Sequence, residues 1–237
     1  MKKLGLLFVL TLLLMVQACV IGCDGVSDQN TTIGGYKLEY SGEQKIQLDP
    51  GLTELDIEVG IADIDLSGAG ASALELKVVY KEYRPGDAII SVEDGEIKTD
   101  SKSGKPVLIT SISGTVPANL NLSIENGTGS TKLSNLKDVS SLKVESGTGK
   151  VSLLSIHSKH ISLECGTGRV NIDDCIAVNA VIDTGTGSVD MNDSYIEFAE
   201  VNSGTGSLNL VNSTIEHPEF DSGVGKIHQE GEYKSAK

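Results

Sequence analysis

The chain has 237 residues and carries 33 acidic against 19 basic side chains, a formal net charge of −14. Phosphate contacts need a basic surface, so nucleic acid is excluded as a partner. Tryptophan is absent and phenylalanine occurs three times, which weighs against sugar-processing β-helix enzymes that stack substrate on aromatic rings.

Met1-Lys2-Lys3 is a basic start, and Leu4 to Val16 is an apolar run without charge. It is short for a transmembrane span and has the form of a secretory signal. Two cysteines suit its end. Val20-Ile21-Gly22-Cys23 and Val16-Gln17-Ala18-Cys19 both resemble the bacterial lipoprotein signal. Cys23 matches better and is followed by polar Asp24 and Gly25. Residues 1–22 are therefore read as a signal peptide, with Cys23 as the lipidated residue and Cys19 as the alternative. Cleavage there removes Lys2, Lys3 and no acid, which takes the net charge to −16. Acyl chains supply about 0.8 kcal/mol per buried methylene. The expected location is the cell envelope, anchored by lipid at a membrane and exposed to the periplasm or the exterior.

Residues 23–49 read as a polar tether and an opening strand. Residues 50–231 read as one repeat domain, irregular over 50–117 and regular over 118–231, before a polar tail at 232–237. Within the irregular part, 55–66 has the register of a repeat with one glycine lost. Leu74 to Tyr80 and Ala88 to Val92 look like strands, and Arg84-Pro85-Gly86-Asp87 like a turn.

From Gly127 onward Gly-x-Gly recurs six times, at Gly127/Gly129, Gly147/Gly149, Gly166/Gly168, Gly185/Gly187, Gly204/Gly206 and Gly223/Gly225. The steps are 20, 19, 19, 19 and 19 residues. Such a period signals a repeat array. Counted from the first glycine of each copy, positions −5 and −3 are mostly aliphatic, as are +4 and +6; Leu163 and Val170 are examples. This is the two-residue alternation of half-buried strands. The inward parity changes across Gly-x-Gly, which requires a bend, so the glycines are read as corners. The predicted fold is all-β, a single-chain β-solenoid (β-helix) with coils of about 19 residues and Gly-x-Gly corners. No helical pattern follows the glycines, which argues against a phosphate-cradling loop. The middle residue is Thr in five copies and Val224 in the sixth. Val has the shape of Thr without the hydroxyl, so the position is read as a β-branched packing group.

Position −2 carries Glu125, Glu145, Glu164, Asp183, Asn202 and Asp221, with Glu58 in the degenerate coil. Parity points this column outward. Glu125, Glu145, Glu164, Asp183 and Asp221 are the candidate binding face, for weak capture of divalent cations or cationic peptides. Stacked carboxylates repel by about 1 kcal/mol per neighbour in water, and Lys150, Arg169 and Lys226 at +3 are expected to offset this in three coils. A solvated acidic face that serves solubility is the plainer alternative.

Asn135, Ser155, Asp174, Asp193 and Asn212, at +8, read as turn residues of a second corner. His157 and His160 have the spacing of a metal pair but lack a third ligand nearby. Cys165 falls in a column of small residues, and a bond to Cys175 would need a Cα separation below about 7 Å. No nucleophile elbow, zinc motif or Ser/His/Asp grouping is present. No catalytic residue, metal or cofactor is expected.

The segments Leu163-Glu164-Cys165-Gly166-Thr167-Gly168-Arg169-Val170 and Ile182-Asp183-Thr184-Gly185-Thr186-Gly187-Ser188-Val189, behind a lipoprotein signal, resemble the bacterial adhesin-like, toast-rack β-solenoid family. The resemblance covers roughly residues 50 to 230. It implies a non-enzymatic envelope protein, and some relatives look like parts of envelope-stress sensing systems. A carbohydrate-acting β-helix lyase or hydrolase, with column carboxylates as catalysts, is the alternative; it predicts acids clustered with aromatics in a groove.

Overall fold

The computed structural model describes residues 31–48, 51–68, 70–223 and 225–230. The expected signal peptide, Cys19, Cys23, Val224 and the C-terminal tail lie outside the described residues. Every element among the described residues is a β-strand.

The regular part is a parallel stack, as the 19-residue period requires. Val139–Leu154, His157–Asp173 and Ile176–Asn192 lie on one another in register, one strand to a coil. Sequence reading expects two strands per coil. Three coils carry one strand through the Gly-x-Gly corner, because pairing continues on both sides of it: Glu145 pairs with Glu164, and Lys150 with Arg169. The coils outside them keep the expected two, as Asn121–Thr128 with Thr131–Ser134 and Tyr195–Thr205 with Leu208–Val211. Glu54–Ile61 lies under Asn121–Thr128 with Glu58 beside Glu125, so the degenerate coil is a true member of the stack.

Residues 74–115 cap the array rather than extend it. Tyr40–Leu48 pairs antiparallel with Leu74–Glu82, which pairs antiparallel with Leu108–Thr115; that strand then joins Asp63–Ser67 in parallel. Ala88–Glu93 and Glu96–Ser101 form a hairpin across Asp94-Gly95, both at positive φ, which suits the twist of a two-residue hairpin turn. The predicted turn at 84–87 is organised by Glu82, a buried carboxylate that accepts backbone N–H bonds from Gly86, Asp87 and Ala88 at 2.8 Å each.

The core consists of columns. Leu142, Ile161 and Ala180 at −5, Val144, Leu163 and Ile182 at −3, Val151, Val170 and Val189 at +4, and Leu153, Ile172 and Met191 at +6 are all buried. Each large aliphatic contributes roughly 1.5–3 kcal/mol by leaving water. Val139, Ala177, Ile196 and Ile215 at −8 form a fifth buried column, which the two-strand reading misses. Positions −7 and −6 both face outward, so the chain bends again there and the parity flips a second time.

The corners are steric. At Gly149, Gly168, Gly187 and Gly206 φ is +150° to +159°, and a Cβ would lie 1.5 to 1.9 Å from the carbonyl oxygen of the glycine, Gly129 to Gly187, one coil below. The first glycine of each pair has no such φ; at Gly166 a Cβ would lie 2.7 Å from the Gly147 oxygen. Ala62 fills the second position of the degenerate coil, whose other side meets Leu108–Thr115 from Asp63–Ser111 onward rather than another Gly-x-Gly corner, so no stacked glycine carbonyl forbids its methyl group. The middle residue is not a core packing group. Thr128, Thr148, Thr167, Thr186 and Thr205 are exposed at the outer apex of the bend, in file with Ile61. The β-branched preference there reflects extended backbone and contact along the file.

The sixth corner, expected at Gly223 and Gly225, has the strand break of the fifth. Gly223 still packs on the coil below, where a Cβ would lie 2.7 Å from the Gly204 oxygen. Gly225, like Gly206 one coil below, falls between strands rather than within one. It lies in the break between Thr214–Ser222 and Ile227–Glu230, half-buried and outside both strands.

The second corner of each coil is a single left-handed residue: φ is +55° at Asn135 and Ser155, +53° at Asp174, +49° at Asp193 and +50° at Asn212. Asn and Asp tolerate this conformation better than other side chains. The last coil frays. Phe220 is half-buried and Ile227 is 47 % exposed. Its strand Thr214–Ser222 carries Pro218 at −5, where lower coils have Leu, Ile or Ala.

Cys165 and Cys175 are buried and unbonded to each other. The Cys175 thiol donates to the Asp173 carbonyl at 3.3 Å, and burial pushes it up to about 11. It stays protonated at neutral pH, and the thiol rather than the thiolate is a poor nucleophile. Alkylation at pH 7.5 should therefore label Cys175 only after denaturation; mass analysis showing rapid native labelling would contradict the buried placement.

Candidate functional site

The acidic column is continuous. Glu58, Glu125, Glu145, Glu164, Asp183, Asn202 and Asp221 are successive in-register neighbours, and none is buried. Strand spacing sets them about 4.8 Å apart. Beside the column the glycine positions leave an open concavity of about 400 Å³ along Glu164, Asp183, Asn202 and Asp221, floored by Gly166, Gly185 and Gly204. Asn126, Ser146, Cys165, Thr184 and Ser203, one position on, are buried on the inner side of the corner.

The +3 cations do not offset the column. The bend carries them onto the next face. Arg169 Nε lies 3.4 Å from Asp190 Oδ2 instead, and among the described residues Lys150 and Lys226 form no ion pair with the column. The cation that reaches it is Lys143, at −4, whose ammonium lies 2.5 Å from Glu145 Oε1. The hydrogen bond that the ammonium donates to Glu145, with the charges of Glu145, Glu125 and Glu164, holds it above its usual range. Asn202 donates to Asp183 Oδ1 at 2.9 Å and to Glu200 Oε1 at 3.1 Å, which relieves repulsion at the distal end. Among the described residues no hydrogen bond or ion pair occupies the carboxylates of Glu125, Glu164 and Asp221. Among the described residues no cluster of three or more His, Cys, Asp or Glu is placed to hold a metal ion. His160 Nδ1 lies 3.3 Å from Asn179 Nδ2, away from any metal geometry with His157.

A second feature escapes sequence reading. Phe198 and His217 stack with centroids 4.6 Å apart and ring planes 17° apart. They line a concavity of about 470 Å³ with Glu200, Glu216 and Glu219. Tyr195 Oη donates to Glu216 Oε1 at 2.5 Å. The available signal was the 19-residue separation of Phe198 and His217.

The columns and Gly-x-Gly corners define a toast-rack β-solenoid. The chain belongs to the Toastrack DUF4097 family, whose model matches residues 52–234. Solved structures give similar chains. A "putative adhesin" of Bacteroides fragilis NCTC 9343 is 14% identical over 81% of this chain and 97% of that one, with a TM-score of 0.49. A "putative lipid binding protein" of Parabacteroides distasonis ATCC 8503 is 16% identical over 84% and 98%, with a TM-score of 0.45. A "putative cell adhesion protein" of Clostridium sporogenes ATCC 15579 is 15% identical over 81% and 100%, with a TM-score of 0.37. No curated protein matches the chain.

Proposed function

We propose that this is a non-enzymatic, adhesin-like protein of the cell envelope, anchored by lipid on Cys23 and presenting its acidic column to envelope components or cationic ligands. The observation that carries the reading is the column itself, seven registered positions with Lys143 as the cation that reaches it. Each contact is weak, and a rigid row makes weak contacts act together. A link to envelope-stress sensing would follow if the captured cation were itself the insult.

A carbohydrate-acting enzyme gains the aromatic and acid neighbours at Phe198 that it asks for. Its catalytic acid must stay protonated near neutral pH, which burial provides. Glu200 and Glu219 are exposed, and Glu216 is half-exposed and bonded to Tyr195.

Replacing Glu125, Glu145, Glu164 and Asp183 with Gln or Asn should weaken capture of polylysine at least tenfold without altering the β circular-dichroism signal. Capture should also fall with salt, since exposed charges are screened over about 8–10 Å. Equal loss on removing four acids from another face would reduce the column to a solubility device. Intact mass of the membrane fraction should show an acylated Cys23 as the first residue; a terminus at Cys19 or an unacylated soluble product would refute that anchor.

A further inference from the structure

We propose that the face holding Lys159, Val178 and Glu197 is a self-association surface on which two copies of this chain pair antiparallel. This deepens the display reading and rests on it for its biological sense, though not for its chemistry. Three observations converge.

The first is exposed apolar surface. Ile176, Val178 and Tyr195 are 47, 41 and 40 % exposed and adjoin one another across two coils, with Ile176 beside Tyr195. The face is concave: a hollow of about 410 Å³ is lined by His157, Lys159, Ile176, Val178, Tyr195 and Glu197 among others.

The second is segregated charge. Residues 118–169 hold six basic and four acidic side chains, whereas 170–225 hold ten acidic and no basic ones. The apolar group lies next to this boundary.

The third is order along the stack. Position −7 reads Lys159, Val178, Glu197 and Glu216 up successive coils, each between residues paired in register. Among the described residues Lys159 makes no ion pair, and it is exposed.

A twofold axis along the strand direction at Val178 sends each coil above it onto the coil below it in the mate. Val178 then meets Val178 and Ile176 meets Ile176. Lys159 of each copy meets Glu197 of the other. This is an isologous contact, self-complementary in charge and in apolar surface. A parallel arrangement would set Lys159 against Lys159, and Glu197 and Glu216 against their own copies. Five coils about 4.8 Å apart and four or five residues wide cover roughly 300–400 Å² a side. Stable interfaces cover about 800 Å² a side, so the pair is weak and exchanging. Antiparallel pairing puts the two N-termini at opposite ends, so copies tethered there would join two facing surfaces.

The test is sedimentation velocity on the full chain in mild nonionic detergent, over roughly 1–300 µM, where an interface of this size dissociates. Dimer should form with concentration and weaken with salt. Lys159→Glu alone and Glu197→Lys alone should each raise the dissociation constant at least tenfold. An equimolar mixture of the two variants should recover association, because each reversed charge meets its reversed partner. Val178→Asp should abolish pairing while circular dichroism stays unchanged. A chain monomeric throughout, a mixture no better than either variant, or association indifferent to Val178→Asp would overturn the proposal. Monomer that still captures polylysine through the acidic column overturns the pairing and leaves the display reading in place. Dimer that captures no polylysine supports the pairing and removes that reading.

Discussion

Gly168→Ala should cost at least about 3–5 kcal/mol, the range of severe single-site damage, and should do more harm than any change at its two neighbours. The added methyl would sit 1.7 Å from the Gly149 carbonyl oxygen and 2.8 Å from its carbon, at φ +152°. Neither atom is a flexible side-chain tip. The backbones of two coils must part, and the parting runs into the pairing on either side of the corner. Gly166→Ala meets a milder conflict, 2.7 Å to the Gly147 oxygen without the unusual φ, and should cost roughly 1–3 kcal/mol. Thr167→Val, on the exposed apex, should stay within about 0.5 kcal/mol of wild type. Urea titration of the three variants tests the ranking. Gly166→Ala proving as harmful as Gly168→Ala would show that the second glycine has no special role.

Glu82→Leu should be the second severe change. Its carboxylate is 3 % exposed and accepts three backbone N–H bonds, from Gly86 to Oε1 and from Asp87 and Ala88 to Oε2, all at 2.8 Å. Hydrogen bonds to a charged group contribute roughly 1.5–3 kcal/mol each, and an orphaned buried donor carries its own desolvation cost. The sum is not additive, and about 3–5 kcal/mol is expected. Glu82→Gln should fall between, because one oxygen remains while the amide N–H₂ faces donors. Amide exchange at Gly86, Asp87 and Ala88 should accelerate in both variants before the coils open. Unchanged protection there would mean the carboxylate does not hold the turn.

The coil was legible in the sequence because its determinants are local and repeated. A column such as Ile124, Val144, Leu163, Ile182 and Val201 states its orientation five times. The acid column was legible for the same reason. What was not legible depends on geometry at a bend. The parity flip at −7 and −6 is hidden because the −8 column contains Ser158 and Ala177, which do not announce a core. The offsets of Lys143 and Lys150 differ by a corner, so sequence spacing picked the wrong cation. Which glycine carries the unusual φ follows from the carbonyl of another coil, 19 residues away. Glu82 announces nothing by itself, since its three donors become partners only once the 84–87 turn closes.

Pro218 determines how the array ends. In this parallel stack N–H groups of alternate residues along a strand point to opposite neighbours. Gly223 N–H bonds back to the Ser203 oxygen, which directs the nitrogen at position 218, five residues earlier, toward the free end. A proline there removes a donor from the face that an incoming strand would dock on. The protein is thus a polymer of coils that carries its own chain terminator. Lower coils hold Leu142 or Ala180 in that place and accept a next layer; the last one discourages end-on growth into fibres. Length is then set by the number of repeats encoded, and side-by-side contact remains as the open direction of assembly.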